Sequence, residues 1–129
     1  MKKVKGYNFS REFMGERAPQ HIQNIVIKDF CKKKKLKLLL SASEYSMSNS
    51  YYILEDIISN LNNLDGIVAY SLFQMPENIS KRNKILKKIL KKKKIMCFAV
   101  EQIILSKLNK LEKINKIWQI KQTLPFCLK

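Results

Sequence analysis

Apolar residues in this chain change their spacing in a repeating order that few folds accommodate. Val4 to Ser10 reads as a short strand, and Pro19 to Lys34 then carries Ile22, Ile25, Val26 and Phe30 on one helical face, with Pro19 suited to a first helical turn. Leu36 to Ser41 is an apolar run broken only by Lys37, the pattern of a strand covered on both faces. Leu54, Ile57, Ile58 and Leu61 predict a helix from Ser50 to Asn63. Asn62 to Gly66 breaks it, and Gly66 to Ser71 is the clearest strand. Pro76 and Asn78 mark a third helix start, with Ile85, Leu86, Ile89 and Leu90 as its buried stripe. A strand follows from Ile95 to Val100. A last amphipathic helix from Lys107 to Lys121 carries Leu111, Ile114 and Trp118 on one side, and residues 122–129 read as an irregular tail.

Four alternations of strand and helix predict a single α/β domain over residues 1–129: a small, doubly wound, mainly parallel sheet of four strands with helices on both faces. With 129 residues, 46% of them hydrophobic and only 3 Gly and 3 Pro, the chain has material for one core and is neither disordered nor low-complexity. Lys, Asn or Glu breaks every apolar run short of the roughly 20 residues that cross a bilayer. The opening MKKVKGYNFS has positive charge with no apolar stretch behind it. A soluble, cytoplasmic protein without membrane insertion is expected.

A net charge of +16 raises the question of a polyanionic partner. Yet 23 of the 26 basic residues are Lys, spread along the chain, with Arg only at Arg11, Arg17 and Arg82. The densest runs, Lys32 to Lys35 and Lys91 to Lys94, close helical segments, where cations meet the negative end of the helix dipole. In a parallel sheet those helix ends lie at the edge where strands begin, whereas ligands bind beyond the strands' carboxyl ends. Nucleic acid is therefore expected at most as a non-specific partner. Cys31, Cys97 and Cys127, with one histidine and no CxxC pair, argue against zinc or a disulfide framework, and Cys31 and Cys97 read as small buried hydrophobes. No glycine-rich phosphate loop occurs, and no cofactor is implied.

The site edge is more selective. The loop after the first strand holds Ser10, Arg11 and Arg17, and His21 opens the following helix. Two planar guanidinium groups beside a helix N-terminus form either an anion cradle or a surface network with Glu12 and Glu16. His21 fits a general acid or base, or a histidine that merely bonds a loop. The second strand ends at Glu44 and Tyr45, the third at Ser71 and Gln74, the fourth at Glu101. The candidate catalytic residues are Glu44, Glu101 and His21; the candidate ligand-binding residues are Ser10, Arg11, Arg17, Tyr45, Ser71 and Gln74.

The segments GYNFSREFMGERAPQHIQNIVIKDFC, LLSASEYSMSNSYYILEDI, LDGIVAYSLFQMPE and CFAVE resemble the sporadic carbohydrate cluster proteins over nearly the whole chain. That resemblance implies a setting in bacterial cell-surface carbohydrate assembly and no particular reaction. Gly6, Tyr7 and Ser10, together with DGIVAYSLFQMPEN, are also similar to the catalytic domain of serine recombinases (resolvases), which implies a resolvase-like fold. The arginine two residues before that family's nucleophile is Asn8 here, and its Asp-Arg-Leu-x-Arg stretch is replaced by Phe73, Gln74, Met75, Pro76 and Glu77. Without those guanidiniums nothing is left to clamp a scissile phosphate.

The expected function is binding or conversion of an anionic sugar or nucleotide-sugar at the strand carboxyl edge. Two alternatives stand beside it. One is a non-catalytic subunit that docks a pathway enzyme or a second copy through the last helix; the other is a resolvase-like fold that binds nucleic acid without recombining it.

Overall fold

The computed structural model describes residues 2–9, 18–44 and 51–127, with the side chains of the last helix described as far as Thr123. Along the chain run β1 (Lys3–Asn8), α1 (Gln20–Lys33), β2 (Lys37–Ser43), α2 (Tyr52–Ser59), β3 (Gly66–Ala69), α3 (Ile79–Lys91), β4 (Ile95–Phe98), β5 (Ile103–Leu105) and α4 (Leu111–Cys127). Short 3-10 turns occupy Leu61–Asn63, Leu72–Gln74 and Leu108–Lys110. The strands form one sheet in the order β2-β1-β3-β4-β5, parallel except for the antiparallel β4–β5 pair. The doubly wound α/β sheet is as the sequence predicts, with β5 added. Only three residues long, β5 is too short to show a period, and it pairs back onto β4 after a turn in which the Gln102 amide donates to the Ala99 carbonyl.

Alternation along the strands sorts the helices. Tyr7, Ile67, Ala69, Met96 and Phe98 pack with α2, α3 and α4 on one side, while Val4, Val68, Ile95 and Cys97 pack with α1 on the other. Three sequence expectations change here. β2 is the outer strand, not one covered on both faces, and Leu40 is 88% exposed on it. The buried stripe of α1 is Gln23, Ile27, Phe30 and Cys31, which turns Ile22 and Ile25 towards solvent. Helix α4 continues through Cys127, where an irregular tail was expected. Leu111, Ile114 and Trp118 lie in the core, so that stripe is spent on intramolecular packing.

Two glycines are required by close approach. A Cβ on Gly66 would overlap the backbone carbonyl oxygen of Ile95 on β4, and one on Gly6 would meet the Ser41 hydroxyl, where the β1–β2 register shifts between Lys5 and Tyr7. The lysine runs close α1 and α3 as expected. Lys35 and Lys93 take φ of 57° and 60°, and the amides of Leu36 and Lys94 reach back to the carbonyls of Cys31 and Ile89. These are Schellman turns with lysine at the left-handed position that usually belongs to glycine.

Candidate functional site

Beyond the carboxyl ends of β1 and β3, where the chain order turns from one flank of the sheet to the other, polar side chains gather inside the protein. Gln23, fully buried in the apolar stripe of α1, donates from Nε2 to the carbonyls of Phe9 and Ala18, both at 2.8 Å. Those two residues flank the segment 10–17, so one amide fastens both ends of the connection that carries Arg11 and Arg17. Gln74 Nε2 donates to Gln23 Oε1 at 2.8 Å. Its own Oε1 accepts from the Ser71 amide, while Ser71 Oγ accepts from the Phe73 amide, forming a capping box over the 3-10 turn after β3. Glu101 completes the chain: Ser71 Oγ donates to Oε2 at 2.9 Å and the Leu72 amide to Oε1 at 2.7 Å. Ser71, Gln74 and Glu101 are thus brought together, tied to α1 through Gln23.

Glu44 stands elsewhere. It is 4% exposed and accepts from the Tyr7 hydroxyl at 3.0 Å, from the Ile53 amide at 3.0 Å and from the Leu54 amide at 3.2 Å. It therefore acts as the N-terminal cap of α2, supplied from the end of β2. Glu44 and Glu101 follow β2 and β4, with β1 and β3 between them, and the partners named for the two carboxylates are all different. His21 is exposed in the first turn of α1. Ser10, Arg11, Arg17 and Tyr45 lie outside the described residues.

Two residues at this edge escaped the sequence reading. Asn8, 1% exposed, donates to Asn24 Oδ1 at 2.9 Å and accepts from the Ser43 hydroxyl at 2.8 Å, joining β1 to α1 and β2. Gln23 carried a visible signal, since it stands four, seven and eight residues before Ile27, Phe30 and Cys31 in the buried stripe. Cys31 and Cys97 are free buried thiols; burial pushes the first up to about 11 and the second up to about 12, far from an activated thiolate. Among the described residues no three His, Cys, Asp or Glu side chains converge as a metal ion would require, and no helix is long and apolar enough to cross a membrane.

No protein-family model matches the chain, and no curated protein matches its sequence. Solved structures do. The fold is similar to that of resolvase catalytic domains. A resolvase family site-specific recombinase from Streptococcus pneumoniae superposes with a TM-score of 0.62 at 14% identity, over 97% of this chain and 96% of that one. The N-terminal catalytic domain of TP901-1 integrase gives 0.61 at 14% identity, over 97% and 98%. At that identity the likeness is one of fold.

Proposed function

We propose that this chain serves a bacterial cell-surface carbohydrate pathway by binding an anionic sugar or nucleotide-sugar over the carboxyl ends of β1 and β3. The observation that carries the reading is Gln23, which holds both ends of the arginine-bearing connection at the point where open α/β sheets receive ligands. Arg11 and Arg17 would take the negative charge, Ser10, His21 and Tyr45 would border the ligand, and Ser71, Gln74 and Glu101 would form its floor. Glu44 supports the scaffold away from that cluster, holding α2 and Tyr7 in place. Both described carboxylates at this edge already accept backbone amides, which supports binding ahead of bond cleavage.

Recombination is a poorer account despite the shared fold. Asn8 and Gln74 stand where the recombinase resemblance calls for guanidiniums, and both amides are committed to internal partners. The lysine runs close α1 and α3 at the opposite edge. Calorimetric and thermal-shift titration with a panel of nucleotide-sugars should show binding that Arg11→Lys and Arg17→Lys weaken. Absence of binding by every member of the panel would overturn the proposal.

A further inference from the structure

The third arginine, Arg82, is enclosed between α3 and α4. Arg82 is 3% exposed in the first turn of α3. Its Nη1 donates to the carbonyls of Pro76 and Glu77, both at 3.0 Å, and its Nε and Nη2 donate to Asn115 Oδ1 on α4 at 3.2 and 3.0 Å. Its guanidinium lies 4.6 Å from the centre of the Trp118 ring. A guanidinium has five N–H groups, and one on Nη2 is left over. A buried charge is ordinarily matched by an opposite one, but the ion pairs among the described residues are Lys33–Asp29 and Lys116–Glu112, and neither involves Arg82. The neighbouring indole Nε1 of Trp118 is also buried without an acceptor among those residues. The cluster therefore holds more donors than acceptors, and no carboxylate among the described residues stands within ion-pair distance of Arg82.

Above it opens a groove of about 720 Å3 between α3 and α4, with Arg82 in its lining. That volume suits one or two sugar-sized rings. Gln119 and Gln122 line it with amides that both donate and accept, Asn83 and Asn115 are bonded to each other, and Lys87 and Lys116 stand along it together with Glu77 and Glu112, the latter paired with Lys116. We infer that this groove binds a small hydroxylated carboxylate such as a sugar acid, with its carboxylate on the remaining Arg82 Nη2 N–H, aided by Lys87 and Lys116, and its hydroxyls on the Gln119 and Gln122 side chains. This second site is separate from the one proposed at the β1–β3 edge and does not rest on that reading.

Trp118 is the only tryptophan in the chain and touches Arg82, so its fluorescence reports on the groove. The full chain is titrated with sodium glucuronate at constant ionic strength, with glucose and acetate as controls. A saturable change with a midpoint on the order of 1 mM is expected for glucuronate alone. Arg82→Lys should abolish it. Should that variant fail to fold, the surface double variant Lys87→Glu/Lys116→Glu decides instead, with affinity expected to fall roughly tenfold. The Arg11→Lys/Arg17→Lys variant should titrate as the parent does, whatever becomes of nucleotide-sugar binding. No saturable response, an equal response to glucose or acetate, a response unchanged by the double charge reversal, or loss of response in the Arg11→Lys/Arg17→Lys variant would each overturn the inference.

Discussion

Replacing Glu44 by alanine asks whether a buried carboxylate at the site edge belongs to the scaffold or waits for a ligand. In the structure it accepts from two amides in the first turn of α2 and from the hydroxyl of Tyr7, itself fully buried. Removing a helix N-cap costs about 1–2 kcal/mol. Removing the acceptor of a buried hydroxyl adds about 1 kcal/mol. Glu44→Ala should therefore lose about 2–3 kcal/mol, which for a chain of this size lowers Tm by roughly 7–10 °C. Glu44→Gln keeps one acceptor oxygen and gives up the charge that faces the helix dipole, so its loss should be about 1 kcal/mol. Urea denaturation followed by circular dichroism measures both variants, with an unchanged m-value showing that the same surface is exposed on unfolding. If Glu44→Ala stays within about 0.5 kcal/mol of the parent, the capping argument fails. A gain in stability would mark the carboxylate as strained for function.

Gly66→Ala should destabilise by about 3 kcal/mol, because its Cβ meets the backbone of β4, which cannot yield without breaking the β3–β4 pairing. Gly6→Ala should cost less and be partly rescued by Ser41→Gly, since the Ser41 side chain is its nearest obstacle; equal losses in thermal denaturation would contradict this. Lys35→Gly and Lys93→Gly should each stabilise by about 0.5 kcal/mol, the relief of a left-handed backbone exceeding the entropy that glycine adds to the unfolded chain. A lowered Tm in either variant counts against it. Cys31 and Cys97 stay neutral in the fold up to about pH 11 and 12, whereas unfolded thiols ionise near 8.5. The unfolded state then binds fewer protons, so stability that is whole below pH 8 should drain away between about pH 8.5 and 11, at up to ~1.4 kcal/mol per pH unit for each thiol. A Cys31→Ala/Cys97→Ala variant, less stable at pH 7, should show a shallower alkaline slope; an identical slope would refute the assignment.

The alternation of apolar spacing carried the doubly wound sheet because burial against two helical layers demands it, and the same demand exposes the errors. Position within a sheet is a long-range outcome. Leu36 to Ser41 has the composition of an inner strand, yet the topology leaves β2 with one neighbour and sends Leu40 into solvent. In α1 apolar character misled, because Ile22 and Ile25 look like core while Gln23 occupies it. Gln23 and Arg82 share one sequence signature, a polar residue in step with an apolar stripe: Gln23 with Ile27, Phe30 and Cys31, Arg82 with Ile85, Leu86 and Ile89. Such residues are buried by their neighbours and must find partners there. Scarcity of arginine pointed to Arg11 and Arg17, and the same argument applied with equal force to Arg82. The partners of Glu44 and Glu101 were hidden for a different reason, since amides nine residues or more away in sequence acquire them only when the chain closes.

Among the described residues the helical coat is uneven: α1 is the one helix packed on one side of the sheet, while three helices crowd the other. Breathing motions should favour the thin side, where fewer apolar contacts must part. When α1 lifts, Gln23 goes with it, and its bonds to the Phe9 and Ala18 carbonyls part together. The hold on Phe9 and Ala18 and the integrity of the thinly clad flank are then one equilibrium, so whatever steadies that helix also keeps those two carbonyls tied.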